Sequence, residues 1–237
     1  MIQALRRACA HAWRRLRRVG DARSDVRSDA RSDVRGEARS ATRASLCLLL
    51  LALQTACATR APAPQLYDFG PVYLTSATAT PRLPALSVAE VQAPPWLDGP
   101  LMFYRLGYAN IQQAMPYAGS RWSMTPAQLL GQRLKTRIAQ EGGTVLSQTG
   151  GAGQLPLLRV ETDDFVQIFS TPQQSVGQLS LRAALFNGPQ LIAQRQFSHQ
   201  VNAPSADAAG GARALATASD AVITDMLDWL ASLPLKK

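Results

Sequence analysis

The chain has 237 residues and a formal net charge of +9, but residues 1–56 hold 12 Arg, no Lys and five acids, so +7 of the excess sits in the first quarter. The other 181 residues are nearly neutral, which argues against a nucleic-acid binder, and at 46% hydrophobic overall the chain has the apolar content for a core of its own. Cys9, Cys47 and Cys57 all lie in the first 57 residues, so the rest can hold neither a disulfide nor a cysteine metal site, and no apolar run reaches the roughly 18 residues of a spanning helix.

Residues 21–44 repeat a four-residue unit: DARS, DVRS, DARS, DVRG, EARS, ATRA. Such a low-complexity stretch buries little surface and reads as a charged extension, or as a start codon set too early. A nucleic-acid-binding arm is the other reading. Acids offset the arginines and no aromatics interleave, which speaks against it. An eight-residue apolar run follows at 46–53, the length of a signal-peptide core. It leads into Gln54-Thr55-Ala56-Cys57, which resembles a bacterial lipobox. The position three before the cysteine holds Gln54 rather than the usual Leu, and Leu53 stands one place further back. The resemblance implies cleavage before Cys57 and acylation of its thiol and amine with palmitate-type chains. Two or more such chains anchor stably. The alternative is an ordinary secretory signal cleaved nearby. Ala58, not Asp, follows the cysteine, which by the same resemblance favours the outer membrane facing the periplasm. Ala61-Pro62-Ala63-Pro64 reads as a semi-rigid tether. The expected organisation is extension and signal at 1–56, lipidated cysteine and tether at 57–65, and one domain at 66–237.

Within that domain, residues 84–91 and 101–106 read as strands, with a weak third strand inside 109–115. Thr125, Pro126 and Gln128 form a capping box ahead of a helix. Its core face is Leu130, Leu134 and Ile138, and Gly142-Gly143 ends it. Arg133, Lys135 and Arg137 read as its solvated face. Residues 157–169 alternate as a strand. Leu158, Val160, Thr162, Val166 and Ile168 are expected on one side, and Arg159, Glu161, Asp163 and Gln167 on the other. Asp164 breaks the pattern as a bulge would. A turn at 171–174, an alternating strand at 178–185 and the hairpin signal Asn187-Gly188 follow. A further strand runs from 191 to 201. The last helix, about 205–233, carries the stripe Leu215, Ala218, Val222, Met226 and Leu230, extended by Trp229 and Leu233. Gly210-Gly211 weakens its first turns and Pro234 stops it. These elements predict a two-layer α+β fold: two helices on one face of a mostly antiparallel sheet.

Catalytic signatures are missing. His199 has no nucleophile beside it in sequence and reads as a packed or edge histidine. Gly150-Gly151-Ala152-Gly153 lacks the Lys-Ser/Thr of a phosphate loop. Glu161 and Asp163 share a strand face and make a metal site conceivable, but a solvated face is the default. No catalytic residue, cofactor or metal ligand is assigned.

Pro95-Trp96-Leu97-Asp98-Gly99-Pro100, then Tyr104-Arg105, then Arg121-Trp122 before the first helix, with Tyr67-Asp68-Phe69-Gly70-Pro71 upstream, form a recurring set of short motifs. They resemble the ABC-type transport auxiliary lipoprotein family, the PqiC-like proteins, over residues 66–233. The resemblance implies an outer-membrane lipoprotein of an envelope-spanning lipid-transport system. Its expected partners are an ABC ATPase and permease and an MCE-domain protein whose periplasmic conduit it docks, in some members as a homo-oligomeric ring. That role involves no catalysis and no nucleic acid. Trp96, Tyr104 and Trp122 read as packing aromatics ahead of partner contacts. Asp98 and Arg105 are expected to fix the motif loop by a charged hydrogen bond. The competing functions are a structural or assembly lipoprotein of another envelope complex and, third, a periplasmic hydrolase built around His199.

Overall fold

One long strand, interrupted by a single extra residue, organises a branched eight-stranded sheet. The computed structural model describes residues 62–72, 83–147 and 155–234. The repeat at 21–44, the apolar run at 46–53, Cys57 and the glycine-rich stretch at 150–153 lie outside these. In chain order the elements are β1 (Gln65–Tyr67), β2 (Leu86–Val88), a 3₁₀ turn (Pro95–Leu97), β3 (Leu101–Leu106), β4 (Asn110–Trp122), α1 (Pro126–Gln140), β5 (Val145–Ser147), β6 (Leu157–Thr171), β7 (Gln174–Asn187), β8 (Gln190–Asn202) and α2 (Ala208–Ser232). The long pairings β3–β4, β6–β7 and β7–β8 are antiparallel, and the short ones β1–β4, β2–β5, β2–β6 and β3–β6 are parallel. The α+β class read from the sequence is the class observed.

β6 pairs with β7 along its whole length, but its other edge is shared. β2 occupies the first part and β3 the last. The register slips between Thr162 and Asp164, leaving one residue of β6 over. That bulge reverses the parity of everything after it. Leu158, Val160 and Thr162 are buried on the helix side as expected. Beyond the bulge, Phe165, Gln167 and Phe169 take that side, paired with Leu179, Gly177 and Ser175. Val166 and Ile168 therefore lie on the opposite face, and Gln167, expected among the exposed polar residues, is buried. The bulge expected at Asp164 falls one residue earlier, on Asp163, and the two sides exchange after it.

The weak strand expected within 109–115 is the 13-residue β4, running to Trp122. Its sequence, without regular alternation of apolar and polar residues, gives little strand signal, and Pro116 lowers it further. Proline is accepted there because that stretch of β4 pairs only with β3, through Phe103 at Pro116. The β7–β8 hairpin turns on Gly188-Pro189 rather than on Asn187-Gly188, since Asn187 pairs with Gln190. Gly188 has φ +57°, and proline cannot adopt positive φ, so the turn belongs to the II′ class.

Both helices are capped as their sequences ask. Thr125 and Gln128 exchange the two bonds of a capping box at α1. Asp207 caps α2 by accepting from the Gly210 amide at 2.7 Å. Leu129, Leu130, Leu134 and Ile138 of α1 and Leu215, Val222, Ile223, Met226, Leu227 and Leu230 of α2 are buried in the core with the sheet. Each such side chain contributes about 1.5–3 kcal/mol on burial. Arg133 is a correction: expected on the solvated face of α1, it is 7% exposed.

α2 lies close on the sheet, and two glycines allow it. A Cβ on Gly177 of β7 would stand 2.7 Å from the Leu215 backbone nitrogen. A Cβ on Gly211 would stand 1.9 Å from Oε1 of Gln167. Gly177→Ala meets backbone that cannot swing aside, and we expect it to destabilise the domain by about 1–3 kcal/mol in urea unfolding. Gly119→Ala, at an open position of β4, should leave stability unchanged or raise it slightly.

Candidate functional site

The motif residues singled out in the sequence fall into separate places. Trp122 is at the centre of the core. Its ring meets Phe165 at 5.3 Å and Phe69 edge-on at 6.0 Å. Phe69 belongs to the Tyr67-Asp68-Phe69-Gly70-Pro71 motif, so this cluster seats the segment that follows the tether. β1 pairs Gln65, Leu66 and Tyr67 with Ser120, Arg121 and Trp122. The Ser123 amide then donates to the Tyr67 carbonyl at 2.8 Å. Asp68 accepts from the Gly70 amide, and Gly70 takes φ +68°, turning the chain after Phe69.

Arg133 closes this clamp from α1. It donates to the carbonyls of Phe69 at 2.6 Å and Gly70 at 3.3 Å, lies over the Phe69 ring, and pairs with Asp220 of α2 at 3.0 Å. One guanidinium thus ties the N-terminal segment to both helices. Its position gave a signal that sequence reasoning passed over: Arg133 is three residues after Leu130, on the buried stripe of the helix rather than opposite it.

Trp96 and Arg105 come together on the face of the sheet away from the helices. Trp96 sits edge-on to Phe103 at 5.3 Å, and the Arg105 guanidinium lies 5.6 Å from the Trp96 ring. The expected bond from Arg105 to Asp98 does not form. Arg105 pairs instead with Asp164 at 3.7 Å, and its other nitrogen donates to the carbonyls of Ile111 and Gln112. The bulge makes this possible by bringing Asp164 to that face. Asp164 also accepts from Gln178 at 2.9 Å, and Gln178 accepts from Gln200 at 2.6 Å, extending the polar row across β7 to β8. Burial raises the Asp164 carboxyl above its ordinary range, against the opposing pull of Arg105 and Gln178.

Tyr104 faces the other way. Its ring packs on Tyr117 at 4.7 Å and Phe169 at 5.8 Å. The Tyr117 hydroxyl donates to Gln167 at 2.8 Å, and Gln167 donates to Ser175 at 2.7 Å. Burial, with Tyr104 and Asp207 behind it, pushes the Tyr117 hydroxyl far up, so it remains a donor at any physiological pH. Asp98 stands apart, at the end of the 3₁₀ turn. It lines a cleft of about 520 Å³ between the chain after β2 and α1, with Glu90, Thr125, Gln128 and Lys135.

The polar groups weighed in the sequence as metal ligands or as a catalyst are paired. Arg182 bridges Glu161 at 3.3 Å and Asp163 at 3.0 Å, so the carboxylates weighed as metal ligands already share a cation. His199 meets Asp225 of α2 at 2.7 Å, both partly exposed. Among the described residues, no group of three metal-ligating side chains gathers, and no helix is long and apolar enough to cross a membrane.

Two expectations follow. Arg133→Met should cost about 1.5–3 kcal/mol by leaving the Phe69 carbonyl buried without its charged donor. Arg133→Lys should recover only part of this, because an ammonium lacks the fork that reaches two carbonyls and a carboxylate together. For Asp164, the raised pKa means the folded state binds more protons than the unfolded one through the acid range. Its contribution to stability is present at low pH and lost as pH rises through the folded value. The stability of Asp164→Asn relative to wild type should therefore increase as pH rises from below the ordinary carboxyl value of 3.8 through the acid range, measured by urea unfolding.

The sequence matches the family described as "ABC-type transport auxiliary lipoprotein component" over residues 67–227. Among solved structures, a Xanthomonas campestris protein of the DUF330 family superposes with a TM-score of 0.60 at 20% identity, covering 70% of this chain and 95% of that one. A second, an uncharacterized protein, superposes with a TM-score of 0.55 at 17% identity, covering 71% and 99%. At these identities the two structures speak for the fold alone. No curated protein matches the sequence. The family match spans everything from the clamp motif through β8 and into the last turns of α2, and the chain belongs to the ABC-type transport auxiliary lipoprotein component family.

Proposed function

We propose that this protein is a non-catalytic accessory of an MCE/ABC-type lipid-transport system. In this reading, acyl chains on Cys57 hold it at the periplasmic face of the outer membrane. There it docks the end of a periplasmic conduit formed by an MCE-domain protein, which an ABC ATPase and permease serve from the inner membrane. Several copies join as a ring around that end.

The observation that carries the reading is the family match over residues 67–227. The clamp supports it from the physical side. The residues directly after the tether are held by strand pairing, by a three-ring aromatic cluster and by a buried arginine, so an anchor upstream would be attached firmly to the domain. The polar groups weighed for catalysis or metal binding are engaged with each other on the surface, His199 with Asp225 and Glu161 and Asp163 with Arg182.

Two measurements test this. Detergent-extracted protein should co-purify with an MCE-domain protein, and its recovery without one counts against the docking role. Wild-type protein should band with outer membranes in a density gradient, whereas Cys57→Ser should be released into the periplasmic fraction. Retention of Cys57→Ser in the membrane would remove the anchor from the proposal.

A further inference from the structure

We propose that the tip of the β3–β4 hairpin is a second membrane contact, resting against the same lipid surface that receives the Cys57 acyl chains. This deepens the anchor reading above and rests on it.

The tip, residues 107–113, is exposed along its whole length. It presents Tyr108 and Ile111, 50% and 48% exposed, two of the few large apolar side chains left in water. The sequence from Leu106 to Gly119 contains no charged residue. The tip is also fixed in shape. Arg105 pairs with Ala114 while Leu106 pairs with Asn110, so Ile111, Gln112 and Gln113 bulge outward. Arg105 holds the bulge by donating to the Ile111 and Gln112 carbonyls, and the Gln112 amide donates to Asn110. An apolar pair presented on a rigid loop loses little conformational freedom when it enters another phase. A tyrosine beside an aliphatic residue suits the headgroup boundary, where one end of the side chain is dry and the other wet.

Two observations select a lipid surface as the occupant. The first is the direction of the tether. β1 is parallel to β4 with Gln65 beside Ser120, so the chain upstream of Gln65 leaves toward the hairpin tip. Cys57 stands eight residues before Gln65, and the hairpin tip is where β4 begins, upstream of Ser120. Eight extended residues reach at most about 26–29 Å. Because β4 carries extra residues at two irregularities, the way from Arg121 to Asn110 is covered by the five steps from Leu101 to Leu106 of β3, only about 17 Å and within that reach. The anchor and the tip can therefore share one plane. The second is the character of the whole end of the sheet. β3 is parallel to β6 with Leu106 at Phe169, so the tip emerges beside the turn at 171–174 and the chain that leaves β8. Residues 170–181 and 200–206 are uncharged as well. The one acid that follows, Asp207, is engaged as the α2 cap by Gly210 and Ser205. An end without free charge can approach a bilayer without desolvating an ion. The other exposed pair, Leu191 and Ile192, lies at the start of β8, the end away from the tether's course and close to Arg159 and Phe186.

The test uses the lipidated protein purified from membranes and placed in phosphatidylethanolamine–phosphatidylglycerol vesicles, with Ile111→Cys carrying an environment-sensitive fluorophore. Gln190→Cys, in the turn at the far end of the sheet, is the control. The label at position 111 should shift to the blue on incorporation and be quenched by brominated acyl chains, while that at 190 should do neither. Amide exchange over 107–113 in the unlabelled protein should slow in vesicles by the same logic. Protein that floats with the vesicles but shows no quenching at 111, or equal quenching at 111 and 190, overturns the tip contact and leaves the anchor standing. Protein that does not float overturns the anchor, and the tip contact with it. A blue shift at 111 that needs added envelope protein rather than lipid assigns the tip to a protein partner and also overturns the proposal.

Discussion

The extra residue in β6 between Thr162 and Asp164 is the constraint on which the rest of the structure depends. A strand of 15 residues with strict alternation would place one set of side chains toward the helices throughout. The bulge splits that strand into two halves of opposite parity, at the place where its free edge passes from β2 to β3. Before the bulge, aliphatic side chains meet the helices. After it, Phe165 and Phe169 meet the aromatic residues of the N-terminal clamp and of β3, while Asp164 turns outward to Arg105. The conserved geometry of such bulges comes from this double effect: a local cost in ladder bonds, and a gain in where side chains can be sent.

Gln167 shows how the exchange is made tolerable. A buried amide costs free energy unless its donors and acceptor are used. Tyr117 donates to its oxygen and its nitrogen donates to Ser175. The space above it is left by Gly211 and, one strand over, Gly177 leaves space for Ala214 and Leu215. Gly211, which lowers helix propensity in α2, is thus, with Gly177 of β7, the means by which the helix reaches the sheet. Propensity loses to packing here because a closer approach adds contacts along the whole helix, whereas glycine costs about 1 kcal/mol per position relative to alanine.

Much of this fold was legible in the residues. The capping box at Thr125, the stripe from Leu215 to Leu230, the alternation of β7 and the two-layer class all follow from periodicity and local hydrogen bonding, which a sequence carries on its face. What was not legible has a physical cause in each case. The sides of β6 after Asp164 depend on where one residue is left unpaired, which is a property of two strands and not of one. β4 is long because β3 and β1 pair with it, while Ile111 alone of its residues is β-branched and its apolar residues follow no regular alternation. Arg133 needed the knowledge that two carbonyls and Asp220 would converge on the buried side of α1. The partner of Arg105 was misassigned for the same reason as the faces of β6. The motif residues of the candidate surface were found in the sequence, but their grouping was set by the bulge.

The direction in which the N-terminal segment enters the domain bears on any anchored role. β1 contributes only three residues, and a three-residue strand peeled from its end would give way one bond at a time. The parallel register with β4 sets a different geometry: a pull through residue 62 toward the hairpin tip runs along the strand axis, so the β1–β4 bonds are sheared together rather than opened in turn. Behind them the Phe69 ring is lodged against Trp122 and Phe165, and the Phe69 carbonyl is held by a guanidinium that also grips α2 through Asp220. Load entering at the tether is passed to β4, to the aromatic core and to both helices before any single contact must fail. A short strand suffices because it does not act alone.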